Sequence, residues 1–583
     1  MSENLLQALQ ERLLPHLDSG VCPIYVRRMP PCRNACPSSE DIRGHLTRVA
    51  QSQLRGRDLE ESLDEAWRII ADKNPFPAVI GRICPHPCEN ACNRRMHDWP
   101  LAIHSIERFV GDRGIERGLI LHRLAPAGSA NRRVAVIGAG PSGFSCAYQL
   151  ARRGYSVTVF EAADKPGGML RRAVPAYRLP PEILEAEIGN ILRLGVEVRY
   201  GMHLGSEITI EQLRSEHDAV YIAIGAHKSI RLEIDGEDLP GVQSALDFLQ
   251  QVNEGASPDL HGKKVLVTGG GNAAVDAARC ARWLGAEVSL SYRRTRFDMP
   301  AIPAEITAAE AEGVQIVPQS IPRHINADDI HEGADPNAGA SGGISASGDN
   351  TNPGNPRLRI TMMRTEPGEP DSSGRRRPVP VVGSDEHLSA DFVIVAIGQK
   401  PDLAANQPFA TGSVELPHNP VQALSTPGVF AGGDMLGPDF ATTAIGHGRK
   451  AAAAIHEFLN GLTYREPHVP RPIDAREMKL DYYLHLKRND QAELPSEERS
   501  GDFREVVLPL TAEQALAESR RCLSCGLCLL CDRCRIYCPR EAISKDISRP
   551  QGLNMFTDYT RCSGCTICSM TCPCHYIEMG FRS

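Results

Sequence analysis

Residues 133–162 read Arg-Val-Ala-Val-Ile-Gly-Ala-Gly-Pro-Ser-Gly and close on Thr-Val-Phe-Glu-Ala. An apolar run of the kind buried in a parallel sheet leads into Gly138, Gly140 and Gly143. These glycines serve in turn a tight bend, close backbone approach to a pyrophosphate, and packing of a helix on its strand. A helix to residue 153 and a strand over 156–160 follow. Glu161 then stands 23 residues past Gly138, where a ribose hydroxyl needs an acceptor. Strand, turn, helix and acid in that order predict a doubly wound α/β unit that binds a dinucleotide.

The pattern recurs. Lys264-Val-Leu-Val-Thr leads into Gly269, Gly270, Gly271 and Asn272, with Ala274 at the third small position, a helix to residue 284 and a strand over 287–292. Where the first unit has Glu161, the second has Tyr292 followed by Arg293 and Arg294. Two guanidinium groups there suit a 2′-phosphate, which predicts NADP(H); were they merely solvated, NADH would serve as well. Strands over 219–224 and 392–397 are expected to close the two units. The turn Lys165-Pro-Gly167-Gly168 is placed to pass under a ring system. Gly433-Asp434, at a strand end, and Thr442 and Thr443, at the start of a helix to residue 459, are placed to hold a ribityl chain and pyrophosphate. Residues 328–356, rich in Gly, Ala, Asn, Asp, Ser and Pro, read as a disordered excursion of the second unit.

The cysteines are the second constraint. Of 19, six precede residue 93, eleven follow residue 521, and the stretch between contains Cys146 and Cys280, both expected as buried helix thiols. Cys528-x-x-Cys531-x-x-Cys534-x-x-x-Cys538-Pro and Cys562-x-x-Cys565-x-x-Cys568-x-x-x-Cys572-Pro are two copies of the bacterial ferredoxin run, 34 residues apart. In that architecture the fourth cysteine of each run ligates the other cluster. One [4Fe-4S] cluster then takes Cys528, Cys531, Cys534 and Cys572, and the other takes Cys562, Cys565, Cys568 and Cys538. Cys522, Cys525 and Cys574 remain over, and a shifted ligand set or a third metal stays open. Cys32, Cys36, Cys84, Cys88 and Cys92 form an N-terminal group without a histidine at zinc-finger spacing, which suits iron–sulfur over zinc, the alternative on spacing alone.

A net charge of −8 leaves no footprint for nucleic acid, and no apolar window is long enough to span a bilayer. Residues 1–17 alternate Leu with polar groups and read as a short amphipathic helix, so the expected location is cytoplasmic.

Gly81-Arg-Ile-Cys84-Pro, Gly138-Ala-Gly-Pro-Ser-Gly143, Val174-Pro-Ala-Tyr-Arg178-Leu-Pro, Gly269-Gly-Gly-Asn272, Tyr292-Arg-Arg-Thr-Arg-Phe-Asp-Met-Pro-Ala301 and Gly433-Asp434 together resemble the glutamate synthase small (β) subunit and its relatives. Those relatives include the N-terminal half of dihydropyrimidine dehydrogenase and the large subunit of NADH-dependent ferredoxin:NADP oxidoreductase. The resemblance covers residues 30–465. It implies FAD in the first unit, with Arg178 near the cofactors, NAD(P)H in the second, and N-terminal [4Fe-4S] clusters. One of these maps onto Cys36, Cys84, Cys88 and Glu107. The other needs Cys32 and Cys92, but the Cys-x-x-Cys pair the family places shortly before Cys32 is replaced by Ile24 and Arg27, leaving only Cys22 nearby.

The expected architecture is multidomain: an α-helical iron–sulfur domain (1–125), a Rossmann-like FAD domain in two parts (131–242 and 401–465), an inserted Rossmann-like NADP(H) domain (243–400), a linker (466–515) and an α+β bacterial-ferredoxin domain (516–583). The double ferredoxin run departs from glutamate synthase small subunits. It resembles NADP-linked electron-transfer subunits of other iron–sulfur enzymes, such as some 2-oxoacid:ferredoxin oxidoreductases or the NAD(P)H-oxidising partner of dissimilatory sulfite reductase. The expected function is electron exchange between NADP(H) and an iron–sulfur partner or ferredoxin within a hetero-oligomer, most of all a 2-oxoacid:ferredoxin oxidoreductase. Hydride transfer to a flavin needs no side-chain acid or base, and no catalytic side chain is expected. Cysteine groups at both chain ends suggest two electron exits, or one exit and an internal relay.

Overall fold

The computed structural model describes residues 20–581 apart from 328–356, 372–373, 404–420, 422–423, 425, 500–501 and 551. The helix expected over 1–17 and the excursion expected over 328–356 lie outside the described residues.

Strand β1 (Val21–Tyr25) is followed by helices α1 (Pro31–Ala35), α2 (Ile42–Ala50), α3 (Leu59–Ala71), α4 (Pro77–Ile83), α5 (Pro87–Asn90) and α6 (Ile103–Glu116). Asp41 and Asp58 cap α2 and α3 by accepting from Gly44 N–H and Glu61 N–H. The short helices α1, α4 and α5 begin on proline, whose missing N–H is one the first turn would leave unpaired anyway. Their apolar faces meet around Leu46, Leu63, Trp67, Ile70, Val79 and Ile106.

His45 on α2 is fully buried, and neither ring nitrogen has a partner among the described residues. Burial lowers its pKa from 6.5 to about 4, against a smaller opposing pull from Asp41. The folded value lies below the unfolded one, so this stabilisation is present above the unfolded pKa and is lost as pH falls toward the folded one. Between about pH 7 and 5 the group is expected to withdraw about 2 kcal/mol. His45→Leu should remove that part of the acid sensitivity. Thermal melts of both chains at the two pH values check this, and equal pH dependence would refute it.

The first parallel sheet begins with β2 (Arg133–Ile137), then helix α7 (Pro141–Ala151), β3 (Ser156–Phe160), β4 (Glu197–Arg199) and β5 (Ala219–Ile222). The second is built from β6 (Val242–Ser244), β7 (Lys264–Thr268), helix α8 (Asn272–Trp283), β8 (Glu287–Tyr292) and β9 (Gln315–Pro318). An antiparallel piece interrupts it, made of β10 (Ser320–Ala327), β11 (Leu358–Pro370), β12 (Arg376–Pro380) and β13 (Glu386–Ala390). Strand β14 (Phe392–Val395) then completes the order β9-β8-β7-β14-β6. Only afterwards does β15 (Val429–Ala431) return to pair with β5, giving β15-β5-β2-β3-β4. The second unit is therefore inserted in the first.

The strands expected as closing edges are interior instead. β5 lies between β15 and β2, and β14 lies between β7 and β6. The edge strands beyond them, β15 and β6, are three residues long, too short to show a period.

Helix α9 (Ala441–Leu459) packs on α7, where Ser145 Oγ donates to Ile445 O at 2.8 Å. The stretch expected as a linker, 466–515, is instead a strap held to the body. Glu505 accepts from Arg82 Nε at 2.8 Å and pairs with Arg108 at 2.9 Å, Arg488 pairs with Glu89 at 2.8 Å, and Val506 N–H donates to Tyr177 O at 3.1 Å.

After α10 (Ala512–Arg520) come α11 (Arg533–Ile536), β16 (Ile543–Lys545), β17 (Met555–Thr557), α12 (Ile567–Thr571) and β18 (Ile577–Phe581). β18 pairs antiparallel with β1 at the opposite end of the chain, from Val21 opposite Phe581 to Tyr25 opposite Ile577. Tyr25 stacks on Tyr576 at 5.6 Å and bonds Thr557 Oγ1 at 2.8 Å. Without β1, the C-terminal domain would present β18 as an open edge. No helix among the described residues is long and apolar enough to cross a membrane.

Candidate functional site

The first nucleotide turn is formed as its glycines require. Gly138 sits at φ +104, and a Cβ there would strike the carbonyl oxygen of Ala223. Glu161 accepts from Ala139 N–H at 2.6 Å and from Ala163 N–H at 2.9 Å, so it braces the turn from beyond β3. Gly167 N–H donates to Ala139 O at 2.9 Å, which brings Gly168 against Gly140. Helix α7 begins after Gly140 with no side chain over its first N–H groups. That end is open to an anion. From the other side, Gly433 N–H donates to His447 Nδ1 at 3.2 Å, and burial pushes the Asp434 carboxyl up to about 6. Thr443 lies half-buried in the first turn of α9, which likewise carries no side-chain cap.

In the second unit a Cβ at Gly269 would strike Ala396 O, while the space over Gly271 is open. Asn272 Oδ1 accepts from Ile302 N–H at 2.9 Å and so anchors the loop that crosses the turn. The two arginines separate. Arg294 is buried, pairs with Asp371 at 2.8 Å and donates to Arg376 O at 2.8 Å; Arg293 is exposed and has no ion-pair partner among the described residues. Arg178 Nη1 lies 2.7 Å from Asp276 Oδ2 on α8, clamping the two units together.

The N-terminal thiols lie against the first unit. Thr442 Oγ1 is 3.9 Å from Cys84 Sγ, and Ser38 Oγ donates to Thr442 O at 3.1 Å, so both sides of this group touch the first turn of α9. Cys36 and Cys84 lie within electrostatic reach of Glu107 and of each other, and Cys88 of both thiols. Glu107 is buried and accepts from Asn74 Nδ2 at 3.0 Å; burial, then the neighbouring Glu40, holds its carboxyl well above the ordinary range.

At the other end, α11 and α12 follow left-handed residues Asp532 (φ 64) and Thr566 (φ 65), and each helix carries the third cysteine of its run. Cys528, Cys531 and Cys534 face Cys572. Cys538, Cys562, Cys565 and Cys568 line one cavity. Backbone N–H groups point at sulfur throughout: His86 at Cys84 (3.3 Å), Ala542 at Cys538 (3.3 Å) and Tyr576 at Cys572 (3.3 Å). All described cysteines are free of disulfides. Clustered, buried to half-buried thiols, several met by N–H donors, suit iron–sulfur ligation.

Two family profiles match, pyridine nucleotide-disulphide oxidoreductase over residues 132–347 and dihydropyrimidine dehydrogenase domain II, 4Fe-4S cluster, over residues 22–119. The chain is similar to the NADP(+)-dependent formate dehydrogenase subunit beta of Moorella thermoacetica, 39% identical over 85% of this chain and 70% of that one. It is similar to the NADPH-Fe(3+) oxidoreductase subunit beta of Geobacter sulfurreducens, 34% identical over 85% of this chain and 75% of that one. It also resembles the glutamate synthase [NADPH] small chain of Escherichia coli, 33% identical over 69% of this chain and 84% of that one. The chain belongs to the glutamate synthase small-chain family of NADP(H)-linked iron–sulfur flavoproteins.

Membership in the small-chain family makes the chain an oxidoreductase subunit with FAD, NADP(H) and [4Fe-4S] iron as its cofactors. The structure adds residues that sequence reasoning missed. Strand β1 was invisible as part of the C-terminal domain, because nothing local in Val21–Tyr25 announces a partner at Ile577–Phe581. Tyr221, whose hydroxyl bonds Ser142 Oγ at 2.7 Å at the start of α7, had no signal beyond an apolar run.

Proposed function

We propose that the chain exchanges hydride with NADP(H) at an FAD held by Gly138, Gly140, Gly143, Glu161, Gly168, Gly433, Asp434 and Thr443, and relays single electrons to an iron–sulfur partner. NADP(H) lies over Gly269, Gly271 and Asn272, with Arg293 at the 2′-phosphate. Cys36, Cys84, Cys88 and Glu107 hold one cluster. Cys528, Cys531, Cys534 and Cys572 hold a second, and Cys538, Cys562, Cys565 and Cys568 a third. Residues 516–581, completed by β1, act as a ferredoxin-type domain in a cytoplasmic complex. The flavin supplies the conversion between two-electron and one-electron carriers. The chain's own residues bind the pyrophosphates, orient the rings and keep water out.

The observation that carries this reading is the contact at α9. Its first two turns touch both α7, the helix that leaves the proposed flavin turn, through Ile445, and the Cys84 thiol, through Thr442. Electrons leaving a flavin there have an acceptor at hand.

The test is anaerobic NADPH reduction of the isolated chain, followed by flavin absorbance and by electron paramagnetic resonance. Flavin bleaching followed by cluster signals is expected. Flavin reduction with clusters that dithionite reduces and NADPH does not would overturn the relay. As to the partner, similarity to a formate dehydrogenase subunit along most of the chain makes a formate-oxidising subunit the first to seek by co-purification. A 2-oxoacid:ferredoxin oxidoreductase, a sirohaem sulfite reductase or a large amidotransferase subunit are the other outcomes.

A further inference from the structure

Assigning twelve ligands to three clusters leaves Cys32 and Cys92 at one end of the chain, and Cys522 and Cys525 at the other, with no function. In space they are not apart. Asn93, next to Cys92, donates its Nδ2 to Cys525 Sγ at 3.7 Å and to Ile473 O at 3.0 Å. Arg94 donates to Arg521 O, and Arg521 reaches back to Asp98 at 3.0 Å and Trp99 O at 2.8 Å. From α2, Arg43 Nη1 donates to Cys525 O at 2.5 Å and to Arg28 O at 2.8 Å, while Arg28 N–H donates to Gly526 O at 3.0 Å. The two loops are thus sewn together around the thiols.

Cys32, on α1, lies within electrostatic reach of Cys92, Cys525 and Cys522, and burial pushes all four thiols up. Ser524 N–H points at Cys522 Sγ at 3.5 Å, the same donor geometry seen at Cys84, Cys538 and Cys572. Cys22, the other candidate ligand near the N-terminus, is elsewhere: it lies in β1, beside Cys562.

We propose that Cys32, Cys92, Cys522 and Cys525 hold a fourth [4Fe-4S] cluster, built jointly by the two ends of the chain. Cys522-x-x-Cys525 supplies two of the thiols, and Cys32 and Cys92 the other two. Four sulfurs around a single zinc would stand about 4 Å apart. Among the described residues the groups drawn that tightly are His86, Glu89, His104 and His97, Asp98, His485, and neither contains a cysteine. The wider spread of the four thiols suits a cubane. The buried guanidinium of Arg43 adds a positive charge beside the excess negative charge of four thiolates.

This site also orders the relay. Cys88 of the flavin-side group lies within reach of Cys32. Tyr483, which donates to Leu523 O at 2.8 Å, lies within electrostatic reach of Cys522, Cys525, Cys572 and Cys574. Cys534 then faces Cys568. These proximities would place the fourth site between the flavin-side group and the C-terminal two, so that electrons leave at one far end in place of two separate exits.

The proposal rests on the reading that the other thiol groups hold iron–sulfur clusters, and the test separates the two. In anaerobically reconstituted full-length chain, iron and sulfide should each reach about 16 per chain. The double variant Cys522→Ser/Cys525→Ser should fall to about 12, with flavin content unchanged, and Cys22→Ser should stay at about 16. Cys32→Ser, at the opposite end of the chain, should delete the same paramagnetic component as the double variant. In both, NADPH should no longer reduce the C-terminal clusters, although dithionite does. Wild-type iron near 12 that the double variant leaves unaltered, loss of different components in the two variants, or zinc bound by wild type and absent from the double variant would each overturn the fourth cluster. A wild-type chain that binds flavin and no iron would instead overturn the underlying reading.

Discussion

Replacing Gly138 with alanine is expected to give a chain that purifies without flavin and melts earlier than wild type even when flavin is removed from both. The residue sits at φ +104, a region that L side chains rarely adopt, and its added Cβ would meet the carbonyl oxygen of Ala223, which is backbone and has no rotamer to yield. Strain of that kind costs about 1–3 kcal/mol before any neighbour moves. Relief requires the turn to shift, which breaks the 2.6 Å bond from Ala139 N–H to Glu161 and moves the residue that begins α7. Gly140 provides the contrast. The nearest atom to a Cβ there is the Cα of Gly168 at 4.0 Å, so Gly140→Ala should leave the melting of the flavin-free chain unchanged while still excluding the pyrophosphate. Flavin-to-protein ratios and melts of both variants decide the matter. Normal flavin content in Gly138→Ala would show that the cofactor does not depend on this turn.

What was legible in the chain was whatever could be read within about thirty residues. Each fingerprint carries its strand, turn, helix and second strand in a continuous run, so β2–α7–β3 and β7–α8–β8 appear where the apolar periods put them. The two C-terminal cysteine runs are legible as patterns for the same reason: each repeats a short spacing within about a dozen residues. Where partners are remote, the reading stopped. β5 looked like an edge because β15, which covers it, comes after the whole inserted unit. Residues 466–515 read as linker because Pro and alternating charge describe a strap as well as a tether; remote contacts such as Glu505 against Arg82 and Arg108 distinguish them. Cys522 and Cys525 continue the three-residue spacing of Cys528, so spacing alone left open whether they shift that ligand set or hold a further metal. Their place beside Cys92 depends on Arg94, Arg521 and Arg43, whose long side chains reach across the domain boundary in a way that no local pattern encodes.

Arg293 and Arg294 show how a three-dimensional distinction becomes a kinetic one. As a pair in sequence they were equivalent candidates for a 2′-phosphate. In the fold, Arg294 is held by Asp371 and by Arg376 O, and its side chain is 7% exposed, so moving it to a ligand would leave Asp371 without that partner. Arg293 stands in solvent just past β8, where units of this kind are expected to meet the ribose of a nucleotide. Charge-assisted hydrogen bonds to phosphate contribute about 1.5–3 kcal/mol, so Arg293→Ala should raise KM for NADPH roughly 10- to 100-fold with kcat nearly unchanged. NADH has no 2′-phosphate, and its KM should stay where it is. Arg293→Glu should reverse the preference outright by placing a like charge against the phosphate. Arg294→Ala should act differently, lowering the melting temperature and raising KM for both nucleotides alike, because it removes a buried brace. Steady-state kinetics with a flavin-accepting dye and both nucleotides separate these cases. Equal KM changes for NADPH and NADH in Arg293→Ala would mean that the 2′-phosphate is read elsewhere.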